Sequence, residues 1–332
     1  MKPRGGARVV VVTGASSGVG RATARAFASR GASVGLIARG ADGLEAARRE
    51  AERAGSRALT CRADVADAAA VDAAAERVER ELGPIDVWIN CAMAAVLAPV
   101  WQTTAEDFRR ATEVTYLGCV HGTLAALARM RPRDAGVIVQ VGSALAYRAI
   151  PLQASYCASK FAIRGFTDAL RCELMHERSN VRITMVQLPG LNTPQFDQVR
   201  TTLARQPQPV PPIFQPEVAA DAVVFAAAYP RRELWAGHST VLAIAGNKLA
   251  PWLADRYLAR TNVDAQQTDE PIEPGRPDYL YVPLPGDRGA HGRFDEQAKP
   301  RSLQLGLAKR KRPLLAAALA GALTAGVRAA RR

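Results

Sequence analysis

Short runs of β-branched residues alternate with alanine-rich helical stretches along the first half of this 332-residue chain. This alternation is typical of βαβ units, in which parallel strands form a sheet and the intervening helices cover its faces. We therefore predict an α/β fold built on a doubly wound parallel sheet. The predicted strands are residues 8–13, 33–38, 57–63, 85–90, 136–142 and 181–188, with a short strand near residues 233–237.

The positive charge of the chain is concentrated at its C-terminal end. The formal net charge is +13, and residues 299–332 contain nine basic side chains and no acidic ones. The preceding 298 residues carry 35 basic and 31 acidic side chains, so this larger part is only mildly basic. The tail has no aromatic residues that could stack on bases, and we therefore expect no nucleic-acid partner.

Cysteine and histidine usage indicates neither a disulfide framework nor a metal site. The five cysteines include no CxxC pair and are odd in number, as expected in a reducing cytoplasm. The four histidines are far apart and show no ligand spacing, so we predict no metal site. These residues are Cys61, Cys91, Cys119, Cys157, Cys172, His121, His176, His238 and His291.

A glycine-rich turn, TGASSGVG at residues 13–20, joins the first predicted strand to the first helix. Gly14 allows the tight turn, Gly18 lets the backbone approach a pyrophosphate, and Gly20 permits close helix packing. The helix N-terminus favours an anion. An ordinary strand-to-helix turn is the alternative, but three glycines in this context favour a dinucleotide site.

Tyr156 and Lys160 lie four positions apart in SYCASKFA, whose other members are small or apolar. On a helix this spacing places both side chains on one face, so their polar ends can converge. A surface pair with solvated polar ends is one interpretation. The other is a proton-donating phenol whose pKa is tuned by the neighbouring ammonium.

Together, TGxxxGxG and YxxxK resemble the short-chain dehydrogenase/reductase family, and the similarity extends from about residue 9 to residue 228. Ser143, thirteen residues before Tyr156, resembles the family's catalytic serine, and PGLNTP at residues 189–194 resembles its PGxxxT motif. The resemblance implies a Rossmann-like sheet and a nicotinamide cofactor. The cofactor-binding residues that it implies are Gly14, Ser16, Ser17, Gly18, Val19, Gly20, Asp64, Val65, Asn90, Tyr156, Lys160, Pro189, Gly190 and Thr193.

By the same resemblance, Tyr156 is the general acid or base, Lys160 holds the nicotinamide ribose and tunes the phenol, and Ser143 positions the substrate oxygen. A carbonyl polarised by both hydroxyls would accept hydride from the cofactor. We expect the ammonium and an oxidised nicotinamide to lower the pKa of Tyr156, because both positive charges favour the phenolate.

The chain departs from the family pattern at two positions. Thr115 in VTYLG stands where the family commonly has an asparagine that helps to hold a water in the proton relay to Lys160. The threonine hydroxyl can also hydrogen-bond, so Thr115 is counted among the candidate catalytic residues. Met93 replaces the last glycine of NNAG, and we expect either core packing or a place beside the cofactor or substrate.

The residues that end the second strand decide which nicotinamide cofactor is expected. NAD-preferring relatives carry an acidic residue there for the ribose 2′-hydroxyl, whereas this chain has Ala38 followed by Arg39. Arg39 can pair with a 2′-phosphate, and hydrogen bonds to charged groups contribute about 1.5 to 3 kcal/mol. We therefore expect NADP rather than NAD, with a solvated loop arginine as the alternative.

We divide the chain into an NADP-binding domain (1–240), an extension packed on the domain or partly irregular (241–298), and a basic alanine- and leucine-rich tail (299–332). The proline-rich stretch 204–217 is predicted to be a loop or lid. As a helix, the apolar stretch 313–327 would reach only about 22 Å, too short to span a bilayer. It could instead lie on an anionic membrane surface, dock on a sister subunit or remain frayed.

These observations predict an NADP(H)-dependent oxidoreductase that transfers hydride between the nicotinamide and a carbonyl or alcohol. The segments after Ser143 and Asn90 and the stretch 191–214 should bound the substrate pocket, and their apolar character favours a lipophilic substrate. The alternative is a cofactor-binding scaffold or sensor with little turnover, suggested by Thr115 and Met93. We expect a cytoplasmic homo-oligomer, with peripheral membrane contact through the tail.

Overall fold

The structure is a computed structural model, which describes residues 8–273 and 275–310. The apolar stretch 313–327, with its predicted membrane or subunit contacts, lies outside the described residues. Within them, strands β1 to β11 are, in chain order, Val9–Thr13, Ser33–Ala38, Ala58–Arg62, Ile85–Asn90, Val96–Leu97, Val137–Val141, Arg182–Gln187, Arg200–Thr201, Arg205–Pro207, Glu233–Trp235 and Gln267–Pro271.

Seven of these strands form the central sheet, in the order β10-β7-β6-β4-β1-β2-β3, and every neighbouring pair is parallel. They are the seven strands predicted from the sequence. The chain moves outward from β1 to β3 and then resumes on the other side of β1 with β4, so the predicted doubly wound parallel sheet is confirmed. Ligands of such sheets bind in the crevice where the strand order reverses.

Helices cover both faces of the sheet. In chain order, α1 to α10 are Gly18–Ala28, Ala41–Arg53, Ala68–Leu82, Ala105–Thr112, Gly118–Met130, Ala154–His176, Gln195–Gln198, Pro216–Ala228, His238–Leu249 and Pro251–Thr261. Helices α1, α2 and α8 pack on one face of the sheet, and α3, α5 and α6 pack on the other. A π-helical segment, Glu113–Leu117, joins α4 to α5.

The first strand shows why the sheet needs two helical layers. Side chains alternate across a strand, and in β1 Val10 and Val12 belong to the core beneath α1, α2 and α8. Val9 and Val11 belong to the core on the opposite face, and all four valines are buried. A strand that is apolar on both faces is stable only between two layers that exclude water.

The extension folds back onto the domain. Strand β11 pairs antiparallel with β9, a short strand inside the stretch that we predicted to be a loop or lid. Residues 299–310, predicted to begin the tail, also pack on the domain. The backbone of Lys299 forms hydrogen bonds with Ile213 and Gln215, and Leu305 is buried in the same core as α8.

Residues 8–273 and 275–310 contain no disulfide, no candidate metal cluster and no helix suited to crossing a membrane. The five cysteines are free thiols. Within residues 8–273 and 275–310, no group of three His, Cys, Asp or Glu side chains is arranged to hold a metal ion. No helix in this part of the chain combines the length and the apolar character needed to cross a membrane.

Candidate active site

A cavity of about 930 Å³ lies at the carboxyl edge of the sheet, and its volume falls in the range of ligand pockets. Asn90 and Thr115 are not among its lining residues. The structure brings the other predicted site residues together around it: Gly14, Ser16, Ser17, Gly18, Val19, Gly20, Arg39, Asp64, Val65, Ser143, Tyr156, Lys160, Pro189, Gly190 and Thr193.

The glycine-rich turn brings backbone segments unusually close to one another. Gly14 has a φ of +69°, and a Cβ there would lie 2.8 Å from the Cα of Ala92. A Cβ at Gly20 would lie 2.1 Å from the carbonyl oxygen of Gly14. A side chain at Gly14 would therefore push away the segment after β4, and one at Gly20 would push α1 away from the end of β1.

The start of α1 offers N–H groups at the cavity, because the first N–H groups of a helix have no acceptor within it. Ser17 caps the helix without a side-chain capping bond, and Val19 and Gly20 line the cavity beside it. The Gly18 N–H already donates to the carbonyl oxygen of Gly289, at 3.0 Å. A helix N-terminus with this close backbone packing fits the pyrophosphate of a dinucleotide.

Arg39 lines the cavity just after β2 and is held by the extension. Its Nη1 donates to the carbonyl oxygens of Leu280 and Tyr281, at 3.2 and 2.9 Å, and its Nη2 donates to that of Tyr279, at 2.5 Å. Nη1 also lies 3.9 Å from Oδ2 of Asp64. Within the described ranges the Arg39 Nε donates no hydrogen bond, so the guanidinium keeps donor capacity for a ligand.

The Asp64 carboxylate is surrounded by donors. Its Oδ1 accepts from the Ala66 N–H at 3.0 Å, and its Oδ2 pairs with Arg110. Burial opposes ionisation of Asp64, but these two donors outweigh burial and hold its pKa below the usual value. The ionised carboxylate balances part of the positive charge of Arg39 and Arg110.

Tyr156 and Lys160 lie in the first two turns of α6, and both side chains face the cavity. Lys160 is only 4% exposed, and its Nζ donates to the carbonyl oxygen of Val141 at 2.7 Å. The same Nζ lies 5.3 Å from the centroid of the Tyr156 ring. This burial excludes the alternative of a solvated surface pair.

The pKa of Tyr156 differs from our expectation. Burial raises it above its ordinary value, and the Ser143 hydroxyl opposes this rise only in part. Burial also lowers the pKa of Lys160. The expected lowering for Tyr156 is therefore not produced by the residues of this chain, whose Lys160 bonds to Val141 rather than to the phenol. Tyr156 is protonated at neutral pH.

Ser143 is fixed at the point where the chain leaves β6. The neighbouring Gly142 and Ala144 donate backbone hydrogen bonds to Val186 and Leu188 of the adjacent strand segment, at 2.8 and 3.0 Å. The Ser143 Oγ accepts from the Leu145 N–H at 3.2 Å, and the Ser143 hydroxyl also lowers the pKa of Tyr156. The two hydroxyls therefore present a preformed pair to the cavity.

Thr115 is bonded through its side-chain hydroxyl to the backbone of the loop after β4. Its hydroxyl donates to the carbonyl oxygen of Ala94 at 2.7 Å and accepts from the N–H of Ala94 at 2.9 Å. The side chain is fully buried in the π-helical segment. Because both hydrogen bonds fix the loop after β4, the Thr115 hydroxyl acts as a structural clamp, and its relay role toward Lys160 stays a prediction.

Asn90 also serves the core rather than the cavity. Its amide nitrogen donates to Thr123 at 3.0 Å and to Gln140 at 2.9 Å, and its oxygen accepts from Trp88 at 2.8 Å. This buried network uses both donors and the oxygen of the side-chain amide. The side-chain amide of Asn90 is therefore occupied within the core, and the cofactor contact predicted for Asn90 stays a prediction.

The substrate side of the cavity contains parts of all three predicted segments, including Met93, Leu145 and Pro209–Pro211. It also contains residues of the extension that the sequence reasoning missed. Helices α9 and α10 contribute Leu242 and Leu258, and the irregular segment after β11 contributes Tyr279. No motif or periodicity marks these residues, because the packing of the extension alone brings them to the cavity.

The clamp role of Thr115 predicts a stability loss. Thr115→Val keeps the side-chain shape but leaves two buried backbone groups of Ala94 unpaired, so the free energy of unfolding in urea should fall by about 2 kcal/mol. Thr112→Val is the control, because among the described residues the Thr112 hydroxyl bonds only to Phe108 in its own helix, and it should cost less than about 0.5 kcal/mol. Equal losses would contradict the clamp.

Residues 8–204 match the family described as short chain dehydrogenase. The chain is 31% identical to the uncharacterized oxidoreductase YxnA of Bacillus subtilis, covering 98% of this chain and 91% of that protein. Alcohol dehydrogenase from the archaeon Thermococcus sibiricus, solved with 5-hydroxy-NADP, has the same fold, with a TM-score of 0.58, 24% identity, and coverage of 69% of this chain and 96% of that one. NAD+-bound xylitol dehydrogenase matches with a TM-score of 0.53 and 28% identity, over 55% of this chain and 70% of that one. The chain belongs to the short-chain dehydrogenase family and is an NAD(P)-dependent oxidoreductase that acts on alcohols or carbonyl groups.

Proposed function

We propose that this enzyme uses NADP(H) to reduce the carbonyl group of a lipophilic compound, or to oxidise the corresponding alcohol. The observation that carries the proposal is the shared cavity, in which Ser143, Tyr156 and Lys160 lie together and Arg39 lies just after β2. When bound, the nicotinamide group supplies or accepts the hydride. The residues of the chain then have to hold the cofactor, orient the substrate oxygen and move a proton.

Tyr156 is the proposed proton donor in the direction of reduction. Burial raises its pKa, so its hydroxyl carries a proton at neutral pH and can donate it to a carbonyl oxygen. Ser143 lines the same cavity and is placed to orient that oxygen. Lys160 is the proposed contact for the ribose, and its buried ammonium near the ring would favour a phenolate as it forms.

The preference for NADP rests on the charges around Arg39. Ala38 stands where an acidic side chain would repel a 2′-phosphate, and Arg39 has an Nε donor without an acceptor in the part of the chain that is described. The nearby Asp64 carboxylate is paired with Arg110. A 2′-phosphate beside Arg39 would therefore meet one guanidinium group and a carboxylate that is already paired.

The preference for a lipophilic substrate rests on the walls of the cavity. Most side chains contributed by the three predicted segments and by the extension are apolar, and the polar groups of the lining include Ser143 and Tyr156. Apolar walls with a few fixed polar groups favour an apolar ligand with one reacting polar atom. The alternative, a scaffold or sensor with little turnover, would not need the Ser143 and Tyr156 hydroxyls at the cavity.

Tyr156→Phe tests the proton-transfer role. The substitution removes only the hydroxyl, so NADPH consumption with a panel of aldehydes and ketones should fall by roughly a hundredfold or more. NADPH affinity, measured by cofactor fluorescence, should change less than about threefold. The control is Tyr147→Phe, because Tyr147 donates to Glu233 away from the cavity lining and should keep full turnover. A Tyr156 variant that kept most of its turnover would overturn the mechanism.

Arg39→Asp tests the choice of cofactor. Replacing a partner of the 2′-phosphate with a repelling carboxylate should weaken NADPH binding by roughly tenfold to a hundredfold, while NADH binding changes far less. Arg49→Asp makes the same change of charge on the exposed face of α2, away from the cavity lining, and should leave both affinities unchanged. Equal losses for the two cofactors would leave NADP preference unsupported.

We also propose cytoplasmic localisation, self-association and peripheral membrane contact. Exposed Leu124 and Phe161 on α5 and α6 are suited to contact with a second copy of the chain.

A second observation, besides the basic tail, supports the proposed membrane contact. Trp252, Leu253 and Tyr257 are all exposed on α10, which has no buried residue, and Tyr257 also lines the cavity.

Vesicle sedimentation tests the membrane contact. Truncation after Arg310 should leave NADPH consumption unchanged and abolish low-salt sedimentation with phosphatidylserine vesicles, since each basic residue near such a surface contributes about 1 kcal/mol. In the full chain, replacing Trp252 and Leu253 with Ser should reduce sedimentation, whereas Trp101→Ser, at an exposed tryptophan elsewhere, should not. If the full chain stayed in the supernatant at low salt, the membrane proposal would fail.

A further inference from the structure

Residues 278–289, called the strap below, lie along the cavity between Arg39 and the start of α1. At one end, three consecutive strap carbonyls accept hydrogen bonds from Arg39. At the other end, the carbonyl oxygen of Gly289 accepts from the Gly18 N–H. Between them, the Gly286 N–H donates to Asp42 at 2.7 Å. The strap is therefore bonded to the arginine and to the helix start that we assign to the cofactor.

Tyr279 anchors the strap from inside the cavity. Its N–H donates to the carbonyl oxygen of Gln198 at 3.1 Å. Its hydroxyl donates to the Sδ of Met93 at 3.9 Å. Its ring packs with Tyr156 against one small apolar cluster. A tyrosine held at its backbone, ring and hydroxyl has a defined position, and so does its carbonyl group.

The carbonyl of Tyr279 is also the group that fixes Arg39. This oxygen accepts from Nη2, while Leu280 and Tyr281 accept from Nη1. The three bonds point the terminal nitrogens toward the strap and leave Nε as a donor. An arginine on a surface loop would otherwise sample many rotamers, and ordering it on binding would reduce its contribution to affinity.

We propose that Tyr279 is a positioning residue for cofactor selection: its anchored side chain holds the strap carbonyls that orient Arg39 toward the 2′-phosphate of NADP. The proposal rests on the proposed use of NADP. It gives the extension a role in the reaction, because the discriminating arginine would be preorganised by a residue about 240 positions later in the chain. It also accounts for Met93, whose sulfur contacts the Tyr279 hydroxyl where the family motif has a glycine.

Titrations with NADPH and NADH, followed by cofactor fluorescence, test the proposal without a known substrate. Tyr279→Ala should weaken NADPH binding about tenfold and NADH binding less than about threefold, because only the 2′-phosphate contact depends on Arg39. Tyr279→Phe keeps the ring and should restore most of the NADPH affinity. Tyr229→Ala is the control, because this exposed tyrosine lies outside both the strap and the cavity lining, and it should leave both affinities unchanged.

A double-mutant cycle identifies the route of the effect. In an Arg39→Ala background, Tyr279→Ala should cause no further loss of NADPH affinity if Tyr279 acts through Arg39. Additive losses, or equal losses for NADPH and NADH, would overturn the positioning role. If Arg39→Ala itself did not discriminate between the cofactors, the proposed NADP preference would fail first, so the two failures are distinguishable.

Asp278→Ala covers the case in which Tyr279→Ala does not fold. Asp278 accepts from the Leu280 N–H at 2.9 Å and pairs with Arg200 at 3.1 Å, so it fixes the strap from its outer side. Its loss should weaken NADPH binding in the same direction, by about threefold, with the melting temperature nearly unchanged. A folded Asp278→Ala protein with normal NADPH and NADH affinities would contradict the proposal.

Discussion

The close approach of α1 to the end of β1 is the constraint on which the site depends. Gly20 packs against the carbonyl oxygen of Gly14, and no side chain larger than hydrogen fits between them. This contact places the first N–H groups of α1 at the carboxyl edge of the sheet. Thr193 lies against Gly18 from the segment after β7, so the same turn also fixes the opposite side of the cavity. A wider turn would separate the two walls.

Burial affects the protonation of the candidate catalytic groups as much as their contacts with neighbouring groups do. Lys160 is held by the carbonyl group of Val141, and the Ser143 hydroxyl lowers the pKa of the Tyr156 phenol. Burial disfavours both the charged lysine and the phenolate, so the protein without an added charge keeps Tyr156 as an acid. Proton release from Tyr156 therefore depends on positive charge brought close to the phenol.

The extension is part of the site rather than an appendage. Its strap bonds to Arg39 and Gly18, and Tyr279 reaches the cluster beside Tyr156. Residues 299–310 then tie this segment to the domain through the backbone contacts of Lys299. The cofactor side and the substrate side of the cavity therefore share one covering element. A rearrangement of the strap would therefore change the cofactor side and the substrate side together. A domain that ended near residue 240 would lack this shared element.

Local pattern determined the sheet, the glycine turn and the shared helix face of Tyr156 and Lys160, because strand periodicity, glycine spacing and an i,i+4 pair are properties of neighbouring residues. Ser143 was predicted from the family resemblance. Sequence did not predict the buried hydrogen-bond partners of Thr115 and Asn90, since a hydroxyl or amide fits a relay and a buried network equally well until its partners are known. It also missed Tyr279, whose partners Arg39 and Met93 lie far away in the chain. Those contacts form only when the extension packs across the carboxyl edge, so the tertiary structure alone decided which side chains complete the site.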